Sequence, residues 1–494
     1  MESFGWATLY PEILLLIAAC VILLVDLRVT DRNRTLTYAL SLLAIGAASL
    51  IAGMQAASGV TSYGFSNMVA SDPMGNWLKC FAGVAMMVTL VYGRPYAADR
   101  EMTRGGELFT LGMFALLGMF VMISGNNFLV IYLGLELLTL SSYALVALRR
   151  DNGIATEAAM KYFVLGAMAS GFLLYGMSML YGATGSLDIG EVIKAVSTGN
   201  IRHQVLVFGL VFIVAGLAFK LGVAPFHMWV PDVYQGAPTA VTLIIGGASK
   251  LAAFAMVMRL LVEGLLPLAF DWQQMLAVMA VVSLVVGNFA AIAQSNFKRL
   301  LAYSTISQMG FVLLGLMSGV VNGNAAAAFN AYSSAMFYVV TYVLTTLAAF
   351  GVILMLAKEG YESEEISDLA GLGRRSPLAA VVLSVCMFSM AGLPPLVGFY
   401  AKLAVLQALI TTGLPLYIGM AVFAVVLSLI GAFYYIRVVK VMYFDAPTQP
   451  TPALAPVDVR LVLAVNGALV LGLGILPSGL MKLCADAILN SLGS

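Results

Sequence analysis

Long apolar segments follow one another along almost the whole chain, and this pattern sets the strongest limit on the fold. The first, residues 13–27, reads ILLLIAACVILLVDL, and about fourteen such segments are near the ~20 residues that a helix needs to cross a bilayer. Charged residues make up only 10% of the 494 residues and hydrophobic residues 61%, whereas a soluble domain has about 25% charged residues. The sequence therefore predicts an all-α polytopic membrane protein with about fourteen transmembrane helices.

The motifs of cofactor chemistry do not occur in the sequence. The four cysteines stand far apart, at Cys20, Cys80, Cys386 and Cys484. This spacing excludes iron–sulfur and structural zinc sites. Neither a GxGxxG nor a Walker motif is present, and no polar segment is long enough for a nucleotide-binding domain. The net charge of +1 argues against nucleic acid as a partner. We therefore predict no cofactor or metal in this chain, and a lipid bilayer as its surroundings.

Lysine and arginine are distributed unevenly between the two sides that alternating helices define. About sixteen of them, Arg32 and Lys358 included, lie in segments that share one side, and about four lie on the other side. Because cytoplasmic loops of membrane proteins are enriched in basic residues, the richer side is predicted to face inward. With an even number of helices, both termini then lie on the outer side.

Five lysines fall within the predicted membrane segments: Lys79, Lys161, Lys220, Lys250 and Lys402. A lysine at the bilayer centre costs about 2.5–3.5 kcal/mol, so such residues usually face the protein interior and mark a transport path. Unlike arginine, lysine can give up its proton when it is desolvated. We predict that Lys220, Lys250 and Lys402 belong to a proton-translocation path, with purely structural ion pairing as the alternative.

The other two lysines have competing interpretations. Lys161 follows Glu157 by four residues on one helix face, so it is either a secondary relay candidate or a surface residue that extends to the membrane boundary. Lys79, in NWLKCFAG, begins its segment and is predicted to be an interfacial anchor.

Two apolar segments, 204–235 and 377–411, are too long and too interrupted for single straight helices. AFKLGVAPFHMWVPDVYQGAP, residues 218–238, covers the end of the first segment and continues just past it, and the second segment contains SMAGLPPLVGFYAK. Glycine and proline therefore break both helices beside a lysine. Interrupted helices near the membrane midplane point to an ion site in transporters. His227, within the first break, either relays protons or caps the broken helix.

The two breaks also suggest an internal repeat. Two five-helix repeats would cover residues 107–264 and 265–440, each with one broken helix, and an odd number of helices would make the repeats inverted. In this division residues 1–106 form a three-helix N-terminal segment and residues 441–494 a C-terminal helix.

Glu136 is the exception among acidic residues, most of which lie in loops or at helix ends. It stands in FLVIYLGLELLTLSSYALVAL, with apolar or small residues on both sides. A carboxylate buried in a membrane needs a partner, and a lysine of a neighbouring helix is the obvious one. We therefore place Glu136 in the proton path and expect it to pair with Lys220.

An acidic loop, KEGYESEEISDLAGLGRRSP, covers residues 358–377. The orientation argument places it on the inner face. It either contacts a partner protein or is a solvated connector.

Four motifs together resemble a known family: FKLGVAPFHMWVPDVYQGAPT, FKRLLAYSTISQMGFVLLG, ISDLAGLGRRSP and SMAGLPPLVGFYAKLAVLQA. They are similar to the antiporter-like subunits of respiratory complex I, the proton-translocating NADH–quinone oxidoreductase, which are relatives of Mrp-type cation/proton antiporter subunits. The resemblance extends over residues 107–440. It is strongest to the N-type subunits, because Lys402 stands where the M-type pattern has glutamate and no long lateral helix follows the fourteenth segment.

The resemblance implies a role for each matching residue. Glu136 is similar to the acid of the fifth helix, Lys220 to the lysine of the broken seventh helix and Lys250 to the central lysine of the eighth. Lys402 is similar to the outer-side lysine of the broken twelfth helix. The resemblance also implies that NADH, FMN, iron–sulfur clusters and the quinone belong to other membrane and peripheral subunits, and that the complex lies in a bacterial inner membrane.

Two positions depart from the family pattern. Gln308 stands in AYSTISQMGF where many relatives have histidine, so a group that titrates is replaced by one that only forms hydrogen bonds. Ala240 stands in GAPTAVT where a second proline is common, which affects only the local helix geometry.

Three functions are compatible with these observations. The first is a proton-translocating membrane subunit of NADH–quinone oxidoreductase, an enzyme complex whose redox centres lie outside this chain. The second is a subunit of an Mrp-type sodium/proton antiporter. The third, a structural anchor that pumps nothing, is disfavoured because a scaffold gains more stability from apolar packing than from buried charges.

Overall fold

Twenty α-helices and one short hairpin make up the computed structural model, in the part of the chain that it describes: residues 5–31, 33–321, 323, 327–357, 361–447 and 455–492. Arg32 and Lys358 lie outside the described residues. The N-terminal elements are α1 (Tyr10–Asp26), α2 (Thr35–Ala57), β1 (Ser62–Gly64), β2 (Val69–Ser71), α3 (Pro73–Asp99), α4 (Glu107–Ser124), α5 (Phe128–Val146), α6 (Gly153–Thr184) and α7 (Ile189–Ser197).

The middle of the chain contains the first broken helix and a helix with two π-helical stretches, Ile244–Ala248 and Met258–Gly264. Its elements are α8 (His203–Leu221), α9 (Trp229–Gly236), α10 (Thr239–Leu243), α11 (Ser249–Val257), α12 (Ala269–Ile292), α13 (Phe297–Met317) and α14 (Ala328–Leu356).

The C-terminal part contains the second broken helix. Its elements are α15 (Leu372–Arg375), α16 (Pro377–Ala391), α17 (Val397–Ile410), α18 (Pro415–Phe444), α19 (Val457–Ile475) and α20 (Ser478–Leu492).

The predicted fold class is confirmed. Within the described residues, 13 helical segments are long and apolar enough to cross a membrane, and the pair α16–α17 forms one further, interrupted span. The predicted breaks are also present, between α8 and α9 and between α16 and α17. The division into repeats remains a prediction.

Asparagine side chains cap the N-termini of several of these helices, at the polar connections between apolar segments. Asn127, Asn152 and Asn296 accept hydrogen bonds from Leu129 N (2.9 Å), Ala155 N (2.9 Å) and Arg299 N (3.0 Å) at the starts of α5, α6 and α13. Such caps satisfy amide groups that have no partner in the first helical turn.

Successive spans run in opposite directions and define two faces. We call one the basic face; among the described residues it holds the connections at 27–31, 33–34, 100–106, 147–152, 293–296 and 361–376. The opposite face holds the β1–β2 hairpin, in which Ser62 pairs with Ser71, together with α7 and α20.

Three elements form the centre of the molecule. Residues 239–262 are buried throughout, and α13 and α14 are buried over nearly their whole length. By contrast, α1, α2, α6, α18 and α19 have exposed apolar sides. The centre therefore contains the span of Lys250 and the helices that connect it to the second break.

Candidate functional site

The first break is held by a lysine from another helix. Helix α8 ends at Leu221 and is followed by Gly222, whose φ of 79° favours glycine. The Lys250 ammonium, on α11, donates to the carbonyls of Lys220 (3.2 Å) and Leu221 (2.8 Å) and lies 5.4 Å from the centre of the Trp229 ring. Lys250 thus supplies the donors that the last carbonyls of a helix lack, and its charge faces the negative end of that helix.

The second break is held in the same way. Gly392, with a φ of 87°, ends α16. The Lys402 ammonium, on α17, donates to the carbonyls of Met390 (2.9 Å) and Ala391 (3.1 Å) and to Ser428 Oγ (2.6 Å). Its side chain is buried, and the ammonium lies 5.2 Å from the centre of the Phe311 ring.

The two breaks differ in where their lysine comes from. Lys250 reaches the first break from the following span, whereas Lys402 belongs to the second half of its own broken helix. Ser428, on the span after the second break, also lies 3.4 Å from Ala391 O. A serine in the second half of the chain therefore occupies a place like that of Lys250 in the first.

Lys220 is buried in the last turn of α8, as predicted. Within the described part of the chain its ammonium makes no ion pair at or below 4.0 Å, although the charges of Glu136 and Lys250 interact with it at longer range. The expected direct contact between Glu136 and Lys220 is therefore not formed in the described structure; α6 packs against both α5, which carries Glu136, and α8, which carries Lys220. Glu136 is half-buried, and its Oε1 has no hydrogen-bond partner among the described residues.

Lys161 is not buried. Its side chain is 43% exposed and forms ion pairs with Glu157 (2.9 Å) and Asp232 (2.9 Å). Asp232 also binds Arg299 at 2.7 Å, so Lys161 belongs to an ion network at the surface of α6 and α9. The expected pair with Glu157 is confirmed, and no described contact connects Lys161 with the lysines of the breaks.

His227 lies half-buried within the first break, and its Nδ1 has no partner among the described residues. Its carbonyl accepts from Val230 N at 2.8 Å, at the start of α9. The backbone of His227 therefore contributes to the start of α9, and both roles proposed for its side chain stay predictions.

The prediction for Lys79 is wrong. Lys79 is fully buried, and its ammonium lies 2.7 Å from Glu12 Oε1 and 3.3 Å from Asn76 Oδ1. The position of Lys79 near the start of an apolar segment suggested an interfacial anchor, but its partner is 67 positions away in the sequence and only the packing of α1 on the N-terminal helices brings the two together.

Gln308 is the centre of a hydrogen-bond cluster whose tyrosines on other helices the sequence did not reveal. Its Nε2 donates to Met390 O (3.1 Å) and Tyr435 OH (3.0 Å), and Tyr338 OH donates to its Oε1. Since Lys402 donates to the same Met390 carbonyl, the amide and the ammonium meet at one backbone oxygen.

Further hydroxyls and a small cavity extend this cluster. Thr305 Oγ1 lies 2.7 Å from Tyr342 OH, and Ser304 Oγ contacts Tyr435 OH. A cavity of about 20 Å³ lies between Gln308, Thr341 and Ser389, enough for one water. The signal in the sequence was the spacing of polar residues on α14, where Tyr338, Thr341, Tyr342, Thr345 and Thr346 recur at three and four residues.

The acidic loop binds its own chain. Glu362 Oε1 accepts from Arg100 Nε and Arg149 Nη1, both at 2.8 Å, and Glu362 Oε2 accepts from Tyr96 OH at 2.9 Å. Glu364 pairs with Lys298 at 2.9 Å, and Lys298 also donates to Ala237 O at 2.8 Å, just before α10. We call these contacts the basic-face clamp; they show that the loop is more than a solvated connector, whereas its contact with a partner protein stays a prediction.

The basic-face clamp changes the titration of Glu362. Burial alone would raise the pKa of its carboxyl, but hydrogen bonds from Arg100 and Tyr96, with the charges of Arg100 and Lys298, lower that pKa below the usual value. The ionised form is therefore the one that holds the clamp.

At Ala240 the structure shows a regular helix. Ala240 is buried in α10, which continues through residue 243. The helix is therefore regular at the position where many relatives have a second proline. In the described residues no group of three or more His, Cys, Asp or Glu side chains is arranged to hold a metal ion.

The fold and the two capped breaks define a class of membrane protein. Residues 125–428 match the family described as NADH:quinone oxidoreductase/Mrp antiporter, transmembrane. The chain belongs to this family.

Individual proteins are similar to this chain over nearly its whole length. A protein of Polaromonas naphthalenivorans named NADH-quinone oxidoreductase subunit N is 69% identical, with 100% of each chain covered. A chain of respiratory complex I from Thermus thermophilus is 32% identical with a TM-score of 0.80, covering 96% of this chain and 99% of that one. A chain of the Mrp complex from Dietzia has a TM-score of 0.83, 18% identity and coverage of 99% and 98%, which shows a shared fold.

Proposed function

We propose that this chain translocates protons as a membrane subunit of an NADH–quinone oxidoreductase, through Glu136, Lys220, Lys250 and Lys402. The observation that carries the proposal is the pair of capped breaks. Each places a buried lysine ammonium on the carbonyl end of a helix that stops inside the membrane span. Such a lysine holds a proton at a place where water can replace it as the hydrogen-bond donor to the backbone carbonyls.

The arrangement supports an order of transfer. Glu136 and Lys220 act on one another through their charges across α6, and Lys220 and Lys250 interact in turn at the first break. The hydroxyls and the small cavity around Gln308 lie between α13, α14 and Lys402. In this order Lys402 is the last lysine, and Gln308 orients hydroxyls or water and does not itself titrate. Lys161 and His227 are left without a role in the path.

The orientation belongs to the same proposal. We assign the basic face to the inside of a bacterial inner membrane and the opposite face to the outside, because basic residues concentrate in inner loops. Both termini then lie outside. NADH oxidation and quinone reduction take place in partner subunits of the assembly.

The antiporter alternative is supported by fold likeness at 18% identity, whereas the relative at 69% identity is named as an oxidoreductase subunit. We therefore do not propose sodium/proton exchange.

Replacement of Lys250 by methionine tests the proposal in the assembled complex in proteoliposomes. Lys250→Met keeps the side-chain length but leaves the Lys220 and Leu221 carbonyls without their charged donor. We expect proton pumping driven by NADH to be lost, while NADH oxidation by a water-soluble artificial acceptor continues.

Lys440→Met is the matched control, since Lys440 has a side chain that is 60% exposed and pairs with Asp445. It should pump like the wild type. Normal pumping by Lys250→Met in an assembled complex contradicts the proposal.

A further inference from the structure

A second group of buried charges lies outside the proposed path, in the three N-terminal spans. Glu12, on α1, binds Lys79, on α3, at 2.7 Å, and Glu12 Oε1 also accepts from Ser124 Oγ, on α4, at 2.6 Å. Glu12 is 5% exposed and Lys79 is fully buried. Three spans thus meet at one buried ion pair.

A neighbouring group surrounds Arg259, near the end of the span that carries Lys250. The Arg259 guanidinium binds Glu263 at 2.8 and 2.9 Å and contacts Asp72 Oδ1, at the start of α3. Arg259 and Asp72 are 3% and 1% exposed. Two carboxylates therefore share a single guanidinium.

The two groups adjoin one another. Arg259 Nε donates to Ile123 O at 3.2 Å, and the next residue, Ser124, is the one that binds Glu12. Asp72 and Lys79 lie in the first two turns of α3. We call Glu12, Asp72, Lys79, Arg259 and Glu263 together the outer carboxylate cluster.

The charges of the outer carboxylate cluster do not balance. Three carboxylates face two cations, so full ionisation would leave one uncompensated negative charge at a largely buried site, which is costly within a membrane protein. Two carboxylate oxygens, Glu12 Oε2 and Asp72 Oδ2, are buried without a hydrogen-bond partner in the described structure. A proton shared among the carboxyls removes the excess charge, and these two oxygens are places where that proton can bind.

The outer carboxylate cluster has access to water on the opposite face. A cleft of about 550 Å³ is lined by Asp72, Arg259 and Glu263. Other titratable groups that line this cleft are Tyr63, Asp188, Glu191, Lys194 and Tyr332. Lys194 is paired with Glu191 at 2.9 Å, so it does not offset the excess negative charge. Burial, and then the charge of Glu263, raise the pKa of the Tyr63 hydroxyl, in agreement with a net negative cleft.

We propose that the outer carboxylate cluster is a proton-exchange site, which takes up one proton and releases it through the cleft to the outer side. The ligand is a proton, and no bond between heavy atoms changes. The site lies nine residues beyond Lys250 on one continuous helical segment, roughly 14 Å along the axis, so its protonation acts on the span of the central lysine. The inference rests on the orientation and the proton transport proposed above.

The test uses three variants of the assembled complex in proteoliposomes: Lys79→Met, Glu12→Gln with Lys79→Met, and Glu263→Gln. A purely structural ion pair predicts that Lys79→Met impairs the complex and that the double variant, which removes both members of the Glu12–Lys79 pair, pumps like the wild type. A proton-exchange site predicts that the double variant and Glu263→Gln both remain at least about twofold slower in proton release, with an altered dependence on outer pH. Glu101→Gln, whose side chain is 61% exposed on the basic face, is the control and should pump normally.

Normal pumping and a normal pH dependence in the double variant or in Glu263→Gln overturn the inference. If Lys250→Met stops pumping while Glu263→Gln does not affect it, only the proton-exchange site is refuted; normal pumping in both variants refutes the proposed function as well.

Labelling of the wild-type complex provides a readout that does not depend on assembly of the variants. A hydrophobic carbodiimide reacts with protonated carboxyls, so mass spectrometry should find modified Glu12, Asp72 or Glu263 at neutral pH, and less modification as the outer pH rises. Absence of modification at all three overturns the inference.

Discussion

Lys250 and Lys402 take the place of the water that would otherwise hydrate the carbonyl ends of α8 and α16. A helix that stops inside a membrane leaves its last carbonyls without partners, and lipid offers no donor. An ammonium satisfies two carbonyls and also carries a charge that the helix end stabilises. The same contact therefore explains both why the breaks are tolerated and why a titratable lysine lies at each of them.

Replacement of Lys402 by arginine separates charge from titration. The Lys402 ammonium fits between two carbonyls, Ser428 and Phe311, and arginine is larger and stays protonated at any working pH. We expect Lys402→Arg to reduce proton pumping by the assembled complex nearly as much as Lys402→Ala, with artificial-acceptor activity unchanged. Lys440→Arg is the control. Full pumping by Lys402→Arg would mean that a fixed positive charge is sufficient.

Gln308 is expected to hold the hydroxyl cluster together. Gln308→Leu leaves Tyr338, Tyr435 and the Met390 carbonyl each short of a partner, at about 1–3 kcal/mol for each buried polar group that stays unsatisfied. We expect lower thermal stability of the purified chain and slower pumping, and partial recovery of pumping in Gln308→His. Equal pumping by Gln308→Leu and the wild type would remove Gln308 and its cavity from the path.

Sequence reasoning identified single residues well where composition alone isolates them. Lys220, Lys250 and Lys402 stand out because a charge in an apolar segment is costly wherever it points. The same reasoning gave the wrong surroundings for Lys79 and the wrong contact for Glu136, because the partner of a charged residue depends on which helices pack together. Tyrosines such as Tyr435 were missed because an aromatic residue in an apolar helix is also ordinary core material.

At the level of helices, the glycine that ends α16 fixes where the Lys402 ammonium meets the backbone. Gly392 has a φ of 87°, and a Cβ there would lie 3.0 Å from Lys402 Cδ. Gly392→Ala should cost about 1–2 kcal/mol of backbone strain and displace Lys402, which thermal unfolding and pumping assays will detect. Gly472→Ala is the control, because no atom lies within 4 Å of its added Cβ. Equal effects of the two variants would contradict this role of Gly392.

The basic-face clamp predicts a pH dependence. The folded-state pKa of Glu362 lies below its usual value of 4.5, so the ionised carboxylate stabilises the fold above that pH, and the stabilisation is lost as pH falls through the lowered pKa. Glu362→Gln should therefore reduce stability at neutral pH, and its difference from the wild type should shrink in acid. Denaturation of the purified chain at several pH values measures this, with the exposed Glu101→Gln as control. A difference that stays constant with pH would contradict the prediction.

The elements themselves were largely predictable. Apolar length gave the spans, and glycine with proline gave both breaks. The π-helical stretches that flank α11 were not foreseen, since an extra residue in a helical turn changes neither hydrophobicity nor length. The clamp was also missed, because the sequence shows the charge of the loop but not that Arg100 and Arg149, just after α3 and α5, lie beside Lys298, at the start of α13.

For the whole molecule, the assignment of faces gives a topology that reporter fusions can measure. Fusions after Arg150 should report the inside, and fusions after Asn200 and after Leu492 the outside. An inside signal after Leu492 would reverse the direction of the last span, and an outside signal after Arg150 would exchange the two faces.

The way Lys250 reaches from its own span to the end of another has a consequence for timing. A proton that leaves Lys250 also removes the charge that holds the end of α8, so the helix end must find new partners before the next proton arrives. Proton hops between close groups are fast, but collective shifts of helices take microseconds to milliseconds. The pace of such a relay is then set by repacking of the main chain, and a viscous or cold membrane should slow it more than a change of hydrogen to deuterium does.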